Sequence, residues 1–295
     1  MNSFNDDYSR IPNAYRSPDL ISVMDLPTSD DVSSVNGMPM LGLGTWENED
    51  ECAKSVRAAL DMGYRHIDTA QAYGNEAAVG EGIENADVSR EDVFLATKVW
   101  ADNLAYDDVI GSTRESLDKL DTDYVDLLYV HWPAREYRPE QTFDALSELV
   151  SEGAVENIGV SNFEPEQLDE ARDVSDEPIF ANQVECHPLL PQESLRVYGD
   201  EHGIPLVAYS PLARGGVFDV PELGEIAEKH EASEAQVSLA WLREKGITAI
   251  PKATGEEHIR DNWRSLQLSL DAEDVEVIDG IRTENRAVDP SFAPW

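Results

Sequence analysis

Gly42-Leu43-Gly44-Thr45-Trp46-Glu47 is the stretch that separates two architectures. A first strand followed by Gly-x-Gly-x-x-Gly would open a doubly wound dinucleotide-binding sheet, in which the third glycine lets the next helix pack closely. Gly42 and Gly44 have that spacing, but the third position is Glu47, and no other stretch supplies the motif. The rival α/β arrangement is a barrel of eight parallel strands alternating with helices. Outward from Gly42, apolar or β-branched runs occur at Met40–Thr45, His66–Ala70, Val93–Val99, Val125–Trp132, Val155–Ser161, Ala181–His187, Pro205–Pro211 and Ile247–Lys252. Between them the apolar period is helical. Ala53, Val56 and Leu60 fall at i, i+3 and i+7, as do Ile110, Thr113 and Leu117, followed by Leu120. Phe143, Leu146 and Val150 repeat the stripe, with Gly153 placed as a helix C-cap. The pattern predicts a single-domain (β/α)8 TIM barrel over residues 32–295. The preceding 1–31, rich in Asn, Asp, Ser and Pro and apolar only at Leu20–Met24, reads as a mobile or surface-draped extension.

A chain of 295 residues, 41% hydrophobic, can bury one large core. Sixty acidic residues against 22 basic ones leave a formal charge of -38, which repels phosphate backbones and anionic lipids. Neither nucleic acid nor membrane is expected as a partner. Only six of the basic residues are Lys and sixteen are Arg, so positions that usually carry Lys hold Asp and Glu, a bias that reads as halophilic. Cys52 and Cys186 lie far apart with no metal-binding spacing, which fits a reducing cytoplasm. No apolar run approaches the roughly 20 residues of a membrane helix, and no basic-then-apolar leader opens the chain. With no heptad pattern, a monomer is expected.

Barrel enzymes carry their chemistry at the carboxyl ends of the strands. Here the second run ends at Asp68 with Tyr73 just beyond, the third at Thr97-Lys98, and the fourth at His131-Trp132-Pro133. These types suit carbonyl reduction, because hydride arriving at carbon leaves an oxyanion that must gain a proton. Tyr73 can donate that proton. Lys98 is expected to lower the phenol's pKa, Asp68 to orient Lys98, and His131 to hydrogen-bond the substrate oxygen. Singly, each has a bland reading: a packing tyrosine, a structural Asp–Lys pair, a core histidine. Four at successive strand ends favour a site. Trp46, Trp100 and Trp132, also at strand ends, form an aromatic rim for the substrate, with core plugging as the alternative.

Those residues sit in Leu41-Gly42-Leu43-Gly44-Thr45-Trp46, Gly63-Tyr64-Arg65-His66-Ile67-Asp68-Thr69-Ala70, Tyr73-Gly74-Asn75-Glu76, Thr97-Lys98 and His131-Trp132-Pro133. Gly159-Val160-Ser161-Asn162-Phe163, Asn182-Gln183-Val184-Glu185, Ala208-Tyr209-Ser210-Pro211-Leu212 and Ile250-Pro251-Lys252 follow in order. The ensemble, from Val35 to Trp295, resembles the aldo-keto reductase superfamily, close to its short-loop, diketogluconate-reductase-like microbial members. The resemblance implies a tetrad of Asp68, Tyr73, Lys98 and His131. It implies hydrogen bonds to a nicotinamide carboxamide from Ser161, Asn162 and Gln183, and stacking on Tyr209. Thr45, Ser210, Leu212, Lys252, Thr254, His258, Asp261 and Asn262 match further cofactor positions, Lys252 and Thr254 at the 2′-phosphate and Asp261 and Asn262 at the adenine. Ser210–Phe218 is the phosphate-side loop, with Arg214 as added charge. Where the family commonly has an Arg six residues after the Lys, this chain has His258. A moderate preference for NADPH, with NADH usable, is expected. Ending at Asp289-Pro290-Ser291-Phe292-Ala293-Pro294-Trp295, the sequence is read as lacking a longer C-terminal loop, which predicts an open pocket for small aldehydes and ketones.

Two other readings stand beside this one. A cofactor-binding regulatory or redox-sensing subunit would bind the dinucleotide with little turnover. A metal-dependent barrel hydrolase would need more ligands than His66 and Asp68, so no metal site is expected.

Overall fold

The computed structural model describes residues 26–295. Eight parallel strands follow one another in chain order: β3 (Leu43–Gly44), β4 (His66–Asp68), β5 (Phe94–Val99), β6 (Leu127–Val130), β7 (Ile158–Ser161), β8 (Ile179–Glu185), β9 (Leu206–Tyr209) and β10 (Thr248–Ala249). The ring closes between its two shortest members. Gly42 N donates to Ala249 O at 2.9 Å, Ala249 N to Met40 O at 2.9 Å, and Gly44 N to Pro251 O at 3.1 Å. A Cβ on Gly44 would lie 2.7 Å from Ile250 O, so glycine is required where the two backbones meet. The glycines that imitate a dinucleotide motif thus serve the barrel seam.

Helices pack outside, each through the stripe its periodicity marks. In α1 (Cys52–Met62) Val56, Ala59 and Leu60 are buried, and α1 neighbours α2 (Glu76–Glu84) and α9 (Glu256–Arg264). Burying a Val or Leu contributes about 1.5–3 kcal/mol each. Between α2 and α9 the outer layer holds α3 (Tyr106–Leu120), α4 (Pro139–Ser151), α5 (Pro165–Val174), α6 (Glu193–His202), α7 (Pro221–His230) and α8 (Glu234–Glu244), and α10 (Ala272–Asp279) follows α9. Two helices, α7 and α8, occupy the single β9–β10 connection.

A second, inner core fills the barrel. Ala96, Leu127, Tyr129, Ala181, Val207 and Ile250 pack there with Met38, which is delivered by a hairpin of β1 (Ser34–Val35) and β2 (Met38–Pro39). Ordered contact with the barrel begins before residue 32. Leu26 packs against the outer core, and Pro27 O accepts a 2.8 Å hydrogen bond from Trp263 Nε1 in α9. The rest of the expected extension, 1–25, lies outside the described residues.

Candidate active site

Because successive strands are parallel and in register, their carboxyl ends share one mouth. Lys98 on β5, fully buried, donates from Nζ to Asp68 Oδ1 on β4 at 2.5 Å and to Thr69 O at 2.8 Å, and stands 3.4 Å from Tyr73 Oη. Tyr73 is held by a short 3-10 turn, Gln71–Tyr73, that ends at Gly74 with φ 68, a left-handed conformation glycine adopts without strain. His131, just past β6, meets the Tyr73 ring edge-on at 5.9 Å and the Trp100 ring at 5.2 Å. The four residues predicted as a tetrad are therefore brought together.

Electrostatics revise one expectation. Burial first, and the charge of Asp68 second, push the Tyr73 phenol well above its ordinary value. These two effects outweigh the lowering expected from Lys98, whose ammonium is paired with the Asp68 carboxylate at contact distance. Burial also moves Lys98 down, partly offset by Asp68. His131 falls well below the usual imidazole range, through burial and then the charge of Lys98. Its ring is neutral at pH 7, and its Nδ1 finds no partner among the described residues. The cluster thus presents a protonated phenol and a neutral imidazole to the mouth.

One hydrogen-bond chain ties this cluster to the next strands. Gln183 Nε2 on β8 donates to Asp68 Oδ2 at 2.7 Å, Ser161 Oγ on β7 donates to Gln183 O at 2.9 Å, and Asn162 Nδ2 donates to Ser161 Oγ and His131 O. Tyr209 Oη, at the end of β9, donates to Asn162 Oδ1 at 2.8 Å. Asn162 (φ 64) and Ser210 (φ 47) are both left-handed at strand ends, strain that the surrounding structure must hold.

The mouth opens into a cavity of about 740 Å³. Tyr73, Asp68 and His131 line it, as do Asn162, Gln183, Tyr209, Ser210, Leu212, Thr45 and Lys252. A dinucleotide's nicotinamide half fits such a groove, with an aromatic ring and buried amides along one wall. Ser161 does not reach the cavity; its hydroxyl is engaged within the chain described above. Thr254, His258, Asp261 and Asn262 lie beyond it, on or just before α9. Asp261 accepts hydrogen bonds from Ser233 Oγ and Gln236 Nε2, each at 2.6 Å, so both its carboxylate oxygens are already engaged.

The family model of the Aldo/keto reductase family matches residues 36–283. Glyoxal reductase of Bacillus subtilis (strain 168) is 41% identical over 267 residues, 88% of this chain and 96% of that protein. The crystal structure of a protein provisionally assigned as a 2,5-diketo-D-gluconic acid reductase B superposes with a TM-score of 0.84 at 39% identity, covering 89% of this chain and 95% of that one. The aldo-keto reductase of Bombyx mori, solved in complex with NADP, gives 0.79 at 32% identity, covering 85% and 92%. The chain belongs to the aldo/keto reductase family.

This reductase is accordingly an oxidoreductase that reduces carbonyl compounds with a nicotinamide cofactor. At its substrate end the structure corrects the expected open pocket. The C-terminal segment crosses the mouth, and Ala287, Val288 and Phe292 line the cavity. Phe292 meets Trp100 and Trp132 edge-on at 6.3 and 5.4 Å, and Trp295 lies 5.7 Å from Trp132. Arg135 stacks over Trp100 and Phe292, and Arg214 over Trp46 at 4.4 Å, joining the β9 loop to the β3 loop. Trp46, Trp100 and Trp132 all line the cavity. Sequence reasoning named these tryptophans and passed over Phe292, whose only signal was an aromatic residue in a Pro-rich tail. None of the helices among the described residues is long and apolar enough to cross a membrane.

Proposed function

We propose that this reductase converts small aldehydes and ketones, dicarbonyls such as glyoxal among them, to alcohols, with NADPH moderately favoured over NADH. The observation that carries the reading is the convergence of Tyr73 and His131 on one cavity wall, backed by buried Lys98 and Asp68. Asn162, Gln183, Tyr209, Ser210, Leu212 and Lys252 would hold the cofactor, which when bound supplies hydride to the carbonyl carbon.

The chain's own residues do the rest. His131 donates a hydrogen bond to the substrate oxygen and sets its approach. As negative charge builds on that oxygen, Tyr73 transfers its phenolic proton to it, leaving an alcohol and a phenolate. Lys98 then lies 3.4 Å from the new phenolate and stabilises it. Asp68 keeps Lys98 in place, and Gln183 keeps Asp68 in place. The aromatic rim excludes water and receives apolar substituents.

On the cofactor side Lys252 provides one cation, while the first turn of α9 carries Glu256 and Glu257 beside His258. Two carboxylates, one of them already occupying the Arg260 guanidinium, and an imidazole at 258 favour only moderate selection of a 2′-phosphate. A panel of glyoxal, an aromatic aldehyde and a ketone, run in molar KCl with NADPH and NADH side by side, tests the reading. Cofactor binding without oxidation in every well would return the chain to a regulatory role.

A further inference from the structure

Two residues after Gln183 on the same strand stands a carboxylate that the catalytic account does not use. Glu185 is 1% exposed, yet every contact of its carboxylate is directed at holding other parts of the chain. Oε1 accepts from Ala287 N at 2.6 Å and from His187 Nε2 at 3.0 Å, and Oε2 accepts from Val288 N at 2.8 Å. Because an ionised carboxylate only accepts, His187 carries its proton on Nε2. Burial alone would raise this carboxyl, but His187 and the two backbone N–H groups hold it below the usual glutamate range. A second tie lies beside it, where Asn285 N donates to Leu189 O at 2.9 Å.

The pair of N–H donors matters because of where they lead. Ala287 and Val288 line the cavity, and four residues on, Phe292 closes it against Trp100 and Trp132. Among the described residues no other charge-assisted hydrogen bond joins 286–292 to the barrel, so Glu185 is the charged tether of the wall. Charge-assisted hydrogen bonds are about twice as strong as neutral ones, and a segment without regular secondary structure depends on them.

We infer that Glu185 is a positioning residue for substrate selection, clamping the C-terminal segment so that Val288 and Phe292 complete an apolar wall for the substituent on the carbonyl. The inference rests on the proposed reading of the cavity as a carbonyl pocket and adds what sets its selectivity. Substrates bearing an aromatic or branched group touch that wall; glyoxal, with no substituent, does not.

The experiment compares glyoxal with phenylglyoxal, which share the reacting dicarbonyl and differ by one ring, in the unsubstituted enzyme and in Glu185→Gln, Phe292→Ala and the double variant. An amide keeps one acceptor and turns an N–H toward the remaining donor, so Glu185→Gln should raise KM for phenylglyoxal about tenfold, and for glyoxal about threefold or less, with kcat little altered. Phe292→Ala should lose phenylglyoxal selectivity similarly. The double variant should be no worse than the poorer single one, because both act through the same wall. Should Glu185→Gln fail to fold, Val288→Pro deletes the donor to Oε2 from the other side and carries the same expectation. An unchanged phenylglyoxal-to-glyoxal ratio in folded Glu185→Gln or Val288→Pro, or multiplicative losses in the double variant, would overturn the role of Glu185. An unsubstituted enzyme that reduces neither compound would overturn the carbonyl-pocket reading along with it.

Discussion

Lys98 Nζ stands 3.4 Å from Tyr73 Oη and 2.5 Å from Asp68 Oδ1, so its charge is already committed to the carboxylate when the site is at rest. The phenol keeps its proton through ordinary pH, because burial and Asp68 outweigh the ammonium, and the same ammonium stabilises the phenolate that forms when the proton leaves. On the proposed mechanism, Tyr73→Phe should lower kcat/KM by about 10²–10⁴-fold while cofactor affinity, read by fluorescence titration, stays within a few-fold. Substantial residual turnover would remove Tyr73 from its role.

Lys98→Met should differ in kind. It leaves Asp68 buried with the Gln183 amide as its side-chain partner, and an uncompensated buried charge costs about 3–5 kcal/mol. Both activity and thermal stability should fall. Adding Asp68→Asn should recover much of the melting temperature but none of the activity; recovery of activity would show that the pair is structural only.

Acid should destabilise the fold from a predictable point. His66 and His131 are both held below the ordinary value of 6.5, mainly by burial, so the folded chain releases protons that the unfolded chain binds. Their stability contribution is full above about pH 6.5 and is lost as pH drops below it, by up to about 1.4 kcal/mol per pH unit for each ring. Urea midpoints measured at pH 7.5 and 5.5 should show this loss, and His66→Gln should shallow it. A midpoint flat over that interval would contradict the burial of both rings as neutral species.

Salt should act in the opposite direction. With 60 acidic residues against 22 basic ones, surface repulsion opposes the compact state, and at 1 M salt the screening length shrinks to about 3 Å. The melting temperature should rise between low salt and molar KCl, each kcal/mol recovered appearing as about 2–4 °C. No rise would set aside the halophilic reading of the composition and leave the chemistry untouched.

Cofactor preference is tested at His258. Supplying the guanidinium through His258→Arg should widen the NADPH-to-NADH ratio of kcat/KM by about ten- to hundredfold, the worth of one charge-assisted phosphate contact of about 1.5–3 kcal/mol. A ratio already in the thousands for the unsubstituted enzyme, or one unmoved by the substitution, would mean that the 2′-phosphate is held elsewhere.

The barrel and its reactive groups were legible because they are written in local signals. A strand's apolar run, a helix's three-to-four period and a reactive side chain at a strand's carboxyl end are properties of short segments, and parallel packing carries Asp68, Lys98 and His131 to one mouth without further information. What tertiary structure alone decided lies in contacts between distant segments. The two-residue strands Ser34–Val35 and Met38–Pro39 are too short to leave a period, and their role appears only with Met38 set inside the barrel. Pro27 joins the fold through Trp263, 236 residues away. The C-terminal tail has no pattern of its own; it lines the pocket with its backbone N–H groups on Glu185, 102 residues earlier. The direction of the Tyr73 shift was likewise out of reach, since the residue types permit either sign. Burial and the distance from Asp68 to Lys98 choose between them, and both are set by packing in three dimensions.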